Sequence, residues 1–216
     1  MIMQRFLYRV FRNSFALGLL WLSLSSTVQA REHNILILGD SISAAYGMSL
    51  EQGWVALLAE RLKDQQPQQY TVVNASISGE TTAGGLRRLP PLLQEHQPTV
   101  VIIELGANDG LRGYPLGTLR RNLATLVRAS QEAGAKVILL PMEIPPNYGT
   151  RYTSGFRQSF VQVAEEADSA ISPFLLDGVA TNPALMQGDG IHPTVEAQPK
   201  LLHNIWPTLI EVLQQL

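Results

Sequence analysis

Short runs of valine, isoleucine and leucine recur along the chain, and they constrain its fold more than any other feature. Each run is bounded by residues that end strands or form turns, such as Pro98 and Gly106. Continuous apolar runs of this length are typical of strands that are covered on both faces, as in parallel sheets. We therefore predict five strands, over residues 35–38, 71–75, 99–105, 136–141 and 172–176.

Apolar residues at helical spacing fill the intervals between these runs. The clearest set would form one buried stripe on a helix and consists of Leu119, Leu123, Leu126 and Val127. Another helical pattern contains Pro90 and Pro91, which we expect to interrupt or shorten the helix. Because strands and helices alternate throughout, the sequence predicts an α/β domain with a parallel sheet.

Composition excludes several classes of protein. The chain has 216 residues, of which 45% are hydrophobic and 16% are charged, a balance that does not fit a disordered chain. It contains no cysteine, which excludes a disulfide scaffold, a thiol nucleophile and a cysteine–zinc site. The formal net charge of -2 indicates no basic surface, so we expect no nucleic-acid partner.

The first thirty residues have a pattern of their own. Three arginines precede an apolar run over residues 15–24, and a polar stretch then ends at Ala30. A basic segment, a short apolar run and a small residue are the pattern of a secretory signal peptide, and the run is too short to span a bilayer. We expect cleavage after Ala30, export to the periplasm without a stable membrane anchor, and a single domain over residues 31–216.

The residues that follow each strand are the candidates for chemistry, because ligands bind beyond the carboxyl ends of the strands in an open parallel sheet. Gly39, Asp40 and Ser41 follow the first strand. A serine on such a turn can project its hydroxyl and its own N–H into a cleft, as a nucleophile must. A serine that caps the next helix fits the same residues.

The next two strands are followed by candidate hydrogen-bond donors. Gly79 follows the second strand, where a glycine brings a bare backbone N–H close to a bound oxygen. An ordinary turn before a helix capped by Thr81 or Thr82 fits equally well. Asn108 follows the third strand, and its amide is a neutral donor suited to an oxyanion, although asparagine also forms Asx turns at such positions.

Asp189 and His192 form the candidate acid–base pair. Their spacing of three residues lets the carboxylate hold one imidazole nitrogen while the other accepts a proton from a hydroxyl. His33 lies beside the expected cleavage site, and His96 and His203 lie on helical segments without a nearby acid at such spacing. We expect no metal site, since neither a His-x-x-x-His pair nor a cluster of carboxylates occurs.

These motifs together resemble those of the SGNH (GDSL) hydrolases. Gly39-Asp40-Ser41, Gly79, residues 106–109 and residues 189–192 occur in the order of that family and at strand ends. Longer segments are similar to the periplasmic multifunctional thioesterases, lysophospholipases and proteases and to their arylesterase relatives, namely residues 74–80, 105–113, 146–149 and 188–193. The similarity extends over nearly all of the chain after residue 30.

The resemblance implies a role for each motif. Ser41 would be the nucleophile, His192 the base, and Asp189 the residue that orients the base. The oxyanion hole would consist of the Ser41 N–H, the Gly79 N–H and the Asn108 side chain, with no cofactor. The resemblance also implies a flavodoxin-like three-layer sandwich, in which a parallel five-stranded sheet has the strand order 2-1-3-4-5.

The activity that the resemblance implies is hydrolysis of carboxylic esters and thioesters through an acyl-serine intermediate. The partner would be a small-molecule acyl or aryl ester, with aryl esters, acyl thioesters and lysophospholipids as candidates, and we expect a monomer. An O-acetyl esterase acting on carbohydrate or peptidoglycan, and an exported binding module without chemistry, remain alternatives. Candidate walls of the substrate site, for which ordinary loop packing is an equal explanation, are Leu111, Arg112, Ile144, Pro145 and Tyr148.

Overall fold

A parallel sheet runs through the middle of the described part of the chain. The structure is a computed structural model that describes residues 33–65 and 69–216. Its five strands pair in parallel in the order β2-β1-β3-β4-β5, which confirms the predicted strand order. The strands are β1 (His33–Gly39), β2 (Tyr70–Asn74), β3 (Val100–Glu104), β4 (Lys136–Leu139) and β5 (Ala170–Ile171).

Helices cover both faces of this sheet, so alternate strand residues enter two separate cores. Ile35 and Ile37 of β1 enter one core, whereas Leu36 and Leu38 enter the other. The inner strands β1, β3 and β4 are therefore buried on both sides, which is why they appear in the sequence as continuous apolar runs. Residues of α1 (Trp54–Gln65) and α6 (Gln198–Leu213) line the first core, and those of α2 (Thr82–His96), α4 (Leu116–Glu132) and α5 (Thr150–Glu166) line the second, with the short α3 (Ala107–Leu111) between β3 and α4.

The predicted fifth strand over residues 172–176 is wrong, because the strand pairs at Ala170 and Ile171 instead. Its last ladder-like contact is the Ser172 N–H, which donates to the Leu139 carbonyl at 3.1 Å. Pro173 follows and has no N–H to continue the pairing. The apolar residues that suggested a strand, Leu175 and Leu176, are buried in the first core from a turn.

The expected interruption at Pro90 and Pro91 is also wrong, since α2 runs continuously through both prolines. Both prolines are exposed, whereas Gly85 and Leu89 lie on the buried face of the helix. Packing of that buried face therefore maintains the helix, while the carbonyl groups that lose an amide partner lie on the side of the prolines. The last helix, α6, likewise runs through Pro207.

The carboxyl ends of the strands bring the sequence motifs to one edge of the sheet. Since β1 and β3 are neighbours, the turn that carries Ser41 lies beside the start of α3, which carries Asn108. The loop before α6 reaches the same edge with His192. None of the helices in residues 33–65 and 69–216 is long and apolar enough to cross a bilayer, and the predicted signal peptide with its cleavage after Ala30 lies outside the described residues.

Candidate active site

Ser41 lies at the start of a tight turn that follows β1. The Tyr46 N–H donates to the Ser41 carbonyl at 3.0 Å, and the Ile42 N–H donates to Asp40 Oδ1 at 3.1 Å. The segment is a turn rather than an α-helix, so Ser41 does not act as a helix cap. Its Oγ instead lies 2.8 Å from Nε2 of His192.

The loop before α6 holds the imidazole of His192 in one orientation. Nδ1 of this ring lies 2.6 Å from Asp189 Oδ2, and Asp189 Oδ1 accepts from the backbone N–H groups of His192 at 3.0 Å and Ile191 at 2.9 Å. These hydrogen bonds, with the His192 N–H foremost, lower the pKa of Asp189 from its usual 3.8 to about 2. An ionised Asp189 places the ring proton on Nδ1, which leaves Nε2 to accept from Ser41.

Two residues that the sequence analysis did not identify hold the two loops together. The Tyr46 ring lies against the His192 ring, with centroids 4.2 Å apart. Gln187 Nε2 donates to the carbonyls of Tyr46 at 2.8 Å and Pro193 at 2.9 Å, and the Gln187 N–H donates to the His192 carbonyl at 2.7 Å. No local pattern in the sequence indicates these contacts, because Tyr46 and Gln187 are 141 positions apart.

Gly79 presents its N–H from a backbone conformation that favours glycine, with φ of 80°. Arg112 holds the following peptide group, since its Nη2 donates to the Gly79 carbonyl at 3.1 Å. Within the described residues neither the Gly79 N–H nor the Ser41 N–H has a protein acceptor. The adjacent helix α2 is capped by Thr81, as the alternative interpretation of this segment expected.

Asn108 enters the site from α3 and does not form an Asx turn. Its Nδ2 donates to Asp40 Oδ2 at 3.1 Å, which uses one of the two amide protons. The second proton therefore remains for a group in the cleft beside Ser41. Both residues line that cleft.

Two buried carboxyl groups lie beneath the Ser41 turn: Asp40 belongs to the motif that carries Ser41, and the sequence analysis missed Glu104. Asp40 is 1% exposed and Glu104, the last residue of β3, is 0% exposed. Burial raises the pKa of Asp40 to about 6. Burial, together with the neighbouring charge of Asp40, raises the pKa of Glu104 well above its usual range.

Two adjoining cavities open around Ser41. The first has a volume of about 270 Å³ and is lined by Ser41, His192, Gly79, Asn108 and neighbouring residues. The second, about 330 Å³, is lined mainly by apolar side chains after β4 and before α6. The residues that line both are Ile42, Ala107, Leu111 and Ile191.

The predicted substrate-binding residues divide into two groups. Leu111, Ile144 and Pro145 line the second cavity. Arg112 and Tyr148 line neither cavity around Ser41; Arg112 holds the Gly79 carbonyl, and Tyr148 Oη donates to the Leu111 carbonyl at 2.7 Å. Among residues 33–65 and 69–216, no group of three or more His, Cys, Asp or Glu is arranged to hold a metal ion.

Comparison with known proteins agrees with this geometry. A model of the GDSL-like lipase/acylhydrolase family matches residues 37–198. The esterase TesA of Pseudomonas aeruginosa is 52% identical over 187 residues, which cover 87% of this chain and 92% of the relative. An arylesterase of Vibrio mimicus is 43% identical, covering 90% of this chain and 96% of the relative. The thioesterase 1/protease 1/lysophospholipase L1 of Escherichia coli is 42% identical, covering 88% and 90%.

Solved structures agree with the fold as well. A psychrotrophic esterase, EstA, from Pseudoalteromonas sp., solved with monoethylphosphonate as inhibitor, is 45% identical and superposes with a TM-score of 0.81 over 85% of this chain and all of that chain. Its sequence identity to this chain, and the share of this chain that it covers, are similar to those of the three relatives above. The chain therefore belongs to the GDSL-like lipase/acylhydrolase family and is an ester hydrolase.

Proposed function

We propose that Ser41, His192 and Asp189 hydrolyse acyl and aryl esters and acyl thioesters through an acyl-serine intermediate. The observation that carries this proposal is the continuous line of short contacts from Ser41 Oγ to His192 Nε2, at 2.8 Å, and from His192 Nδ1 to Asp189 Oδ2, at 2.6 Å. A nucleophile, a base and a group that orients the base are the three parts that acyl transfer to a hydroxyl requires.

In the first half of the reaction Ser41 Oγ attacks the substrate carbonyl while Nε2 of His192 takes its proton. The tetrahedral oxyanion would be bound by the N–H groups of Ser41 and Gly79 and by the second amide proton of Asn108. As the intermediate collapses, the imidazolium returns its proton to the leaving alcohol or thiol, and the acyl group stays on Ser41. Asp189 remains ionised throughout and stabilises the imidazolium.

In the second half a water molecule replaces the leaving group. His192 takes a proton from this water as its oxygen attacks the acyl carbonyl, and the same three donors bind the second oxyanion. The proton then moves from His192 to Ser41 Oγ as the ester bond breaks, so that the carboxylic acid is released and the serine is restored.

The acyl or aryl group of the substrate would occupy the apolar cavity of about 330 Å³. Leu111, Ile144 and Pro145 contribute to its walls, and apolar walls favour a hydrocarbon chain or a ring over a sugar. The names of the relatives support this substrate class, since they include an arylesterase and a thioesterase/lysophospholipase. We infer that lysophospholipids are among the substrates.

A panel of p-nitrophenyl esters and acyl thioesters of increasing acyl length tests this proposal on the purified protein. We expect kcat/KM to be higher with medium acyl chains than with acetyl, because longer chains bury more apolar surface in the second cavity. A sharp maximum at acetyl would instead indicate an O-acetyl esterase. A serine-reactive fluorophosphonate should label the native protein at Ser41 alone, as peptide mapping would determine.

Replacement of Asn108 by alanine should lower kcat about 10²- to 10³-fold, the usual cost of losing one donor to an oxyanion. KM should change little, since the interaction forms fully only in the transition state. Steady-state kinetics with one p-nitrophenyl ester measures both constants. Asn122→Ala is the matched control, because Asn122 donates to Thr82 and lines neither cavity; an equal loss in both variants would contradict a role for Asn108 in the oxyanion hole.

We also propose that the chain is exported to the periplasm, is cleaved after Ala30 and works as a monomer with one catalytic domain. The basic and apolar segments of residues 1–30 support the first two statements. N-terminal sequencing of the protein from separated cell fractions tests the export and the cleavage site. Light scattering on the purified protein tests the monomer, and a mass twice that of the chain would contradict it.

A further inference from the structure

The two carboxyl groups beneath Ser41, those of Asp40 and Glu104, are tightly packed. Glu104 ends β3 and Asp40 follows the adjacent strand β1, and both are almost completely buried. Gly39 makes room for the pair, since a Cβ at this position would lie 2.7 Å from Glu104 Oε2. A larger residue at position 39 would therefore force Glu104, Ser43 or Ser76 to shift, since a Cβ there would lie 2.7 Å from an atom of each side chain.

The hydrogen bonds of these two groups are unequal. Asp40 accepts on both oxygens, from the Ile42 N–H at 3.1 Å and from Asn108 Nδ2 at 3.1 Å. Glu104 accepts only on Oε2, from the Asp40 N–H at 3.0 Å and from Ser43 Oγ at 2.7 Å. Its Oε1 is buried and has no hydrogen-bond donor among the described residues.

This inequality indicates where a proton shared by the pair belongs. A buried carboxylate oxygen without a donor is costly, whereas the O–H of a carboxylic acid needs an acceptor instead. The neighbouring negative charge of Asp40 favours the same arrangement, because two buried carboxylates side by side repel each other. Other titratable side chains nearby are His192 and Glu143. The charge interaction with His192 lowers the pKa of Asp40. Glu143 lies on the wall of the second cavity and pairs with Arg157 at 2.7 Å.

We propose that Glu104 is a positioning residue of the oxyanion site: it stays uncharged and directs its carboxyl proton to Asp40, which therefore stays ionised and holds the Asn108 amide toward the substrate oxygen. A side-chain hydrogen bond joins the carboxyl groups of Glu104 and Asp40, and Asn108 Nδ2 in turn donates to Asp40 Oδ2. The kinetic part of this inference rests on the proposed function, whereas the protonation of Glu104 does not. The two parts are therefore tested separately.

The first test measures stability as a function of pH and involves no catalysis. Above about pH 4.3 an unfolded glutamate has lost its proton, while Glu104 in the folded protein retains one. Wild-type stability therefore falls as pH rises toward the raised pKa of Glu104. The Glu104→Gln variant does not ionise at this position, so its stability should not show this fall with pH. The measurement uses pH 6.5 to 8, which lies above the pKa of about 6 for Asp40. In this range the ratio of the folding equilibrium constant of the variant to that of wild type should increase by up to about tenfold per pH unit.

Urea unfolding of both proteins across this range gives the ratio directly. Glu132→Gln, an exposed glutamate at the end of α4, is the matched control and should follow wild type at every pH. A ratio between Glu104→Gln and wild type that does not change with pH would mean that Glu104 is ionised in the folded protein, and would overturn the proposal.

The second test separates positioning from simple structural support. Glu104→Gln can accept from Asp40 N–H and Ser43 and donate to Asp40, so its kcat for a p-nitrophenyl acetate substrate should stay within about threefold of wild type. Glu104→Leu has similar size without hydrogen bonds, and its kcat should fall about ten- to a hundredfold with little change in KM. Both variants should give the same pH-dependent ratio, because neither ionises.

Equal losses of kcat in the glutamine and leucine variants would overturn the positioning role, even if the stability ratio changes with pH as expected. The fraction of each preparation that reacts with a fluorophosphonate corrects kcat for protein that has not folded. If wild type itself hydrolyses no ester, the proposed function fails, and the stability measurement still decides whether Glu104 holds a proton.

Discussion

Ser41→Ala is expected to lower kcat for ester hydrolysis by about 10⁶-fold, because the variant has no oxygen on which to form the acyl intermediate. Substrate binding should persist, since the two cavities and the three oxyanion donors do not depend on the hydroxyl. The Ser41 N–H in particular is retained. Steady-state kinetics with an aryl ester measures the loss, and active-site labelling with a fluorophosphonate should disappear completely.

Ser49→Ala is the matched control for this experiment, because Ser49 is an exposed residue of the same loop region and lines neither cavity. It should be labelled and should turn over like wild type. Thermal unfolding of Ser41→Ala should resemble that of wild type, since a partly exposed hydroxyl is replaced by a smaller side chain. If Ser41→Ala were labelled as strongly as wild type, another residue would be the nucleophile.

Asp189→Asn is expected to lower kcat by about 10⁴-fold while leaving the shape of the site unchanged. An asparagine amide can donate to Nδ1 of His192, which moves the ring proton to Nε2. A protonated Nε2 cannot accept from Ser41, from which it lies 2.8 Å. The loss should therefore appear in kcat at every pH above neutrality, because Asp189 in wild type, with its pKa lowered to about 2, is ionised throughout this range.

The measurement is a pH–rate profile of the variant beside wild type and Asp64→Asn, an exposed aspartate of α1. Stability supplies a second readout. The lowered pKa of Asp189 contributes stability that is present above about pH 4 and lost as pH falls toward 2, and the variant should lack this acid-range loss. An Asp189→Asn enzyme with a nearly normal kcat would show that another group orients His192.

The sequence alone predicts the sheet and the positions of the motifs because both depend on local patterns. A strand that is covered on both faces appears in the sequence as a continuous apolar run, and the residue after it lies at the carboxyl edge of the sheet. Ser41, Gly79 and Asn108 follow three such strands, so their positions at this edge followed from the strand assignment. Asp189 and His192 are only three residues apart, which makes their contact a local feature as well.

What the sequence could not predict depends on contacts between distant segments. Glu104 occurs inside an apolar run and has the position of a strand residue, and nothing near it in the sequence indicates its contact with Asp40, 64 positions away. Arg112 and Tyr148 occur in the loops that suggested a substrate site, yet tertiary packing directs them to backbone carbonyls. Leu175 and Leu176 are core residues that lie in a turn, and the apolar side chains that their burial requires made the segment resemble a strand.

The loop that carries Asp189 and His192 is closed on itself. Met186 and Pro193 form an antiparallel bridge, and the Gln187 N–H donates to the His192 carbonyl at 2.7 Å. The acid and the base therefore form one preassembled unit, which is joined to the turn after β1 by the Ser41 hydroxyl, the Tyr46 ring and the hydrogen bond from Gln187 to the Tyr46 carbonyl. A displacement of this loop would therefore separate the base from the nucleophile without separating the acid from the base.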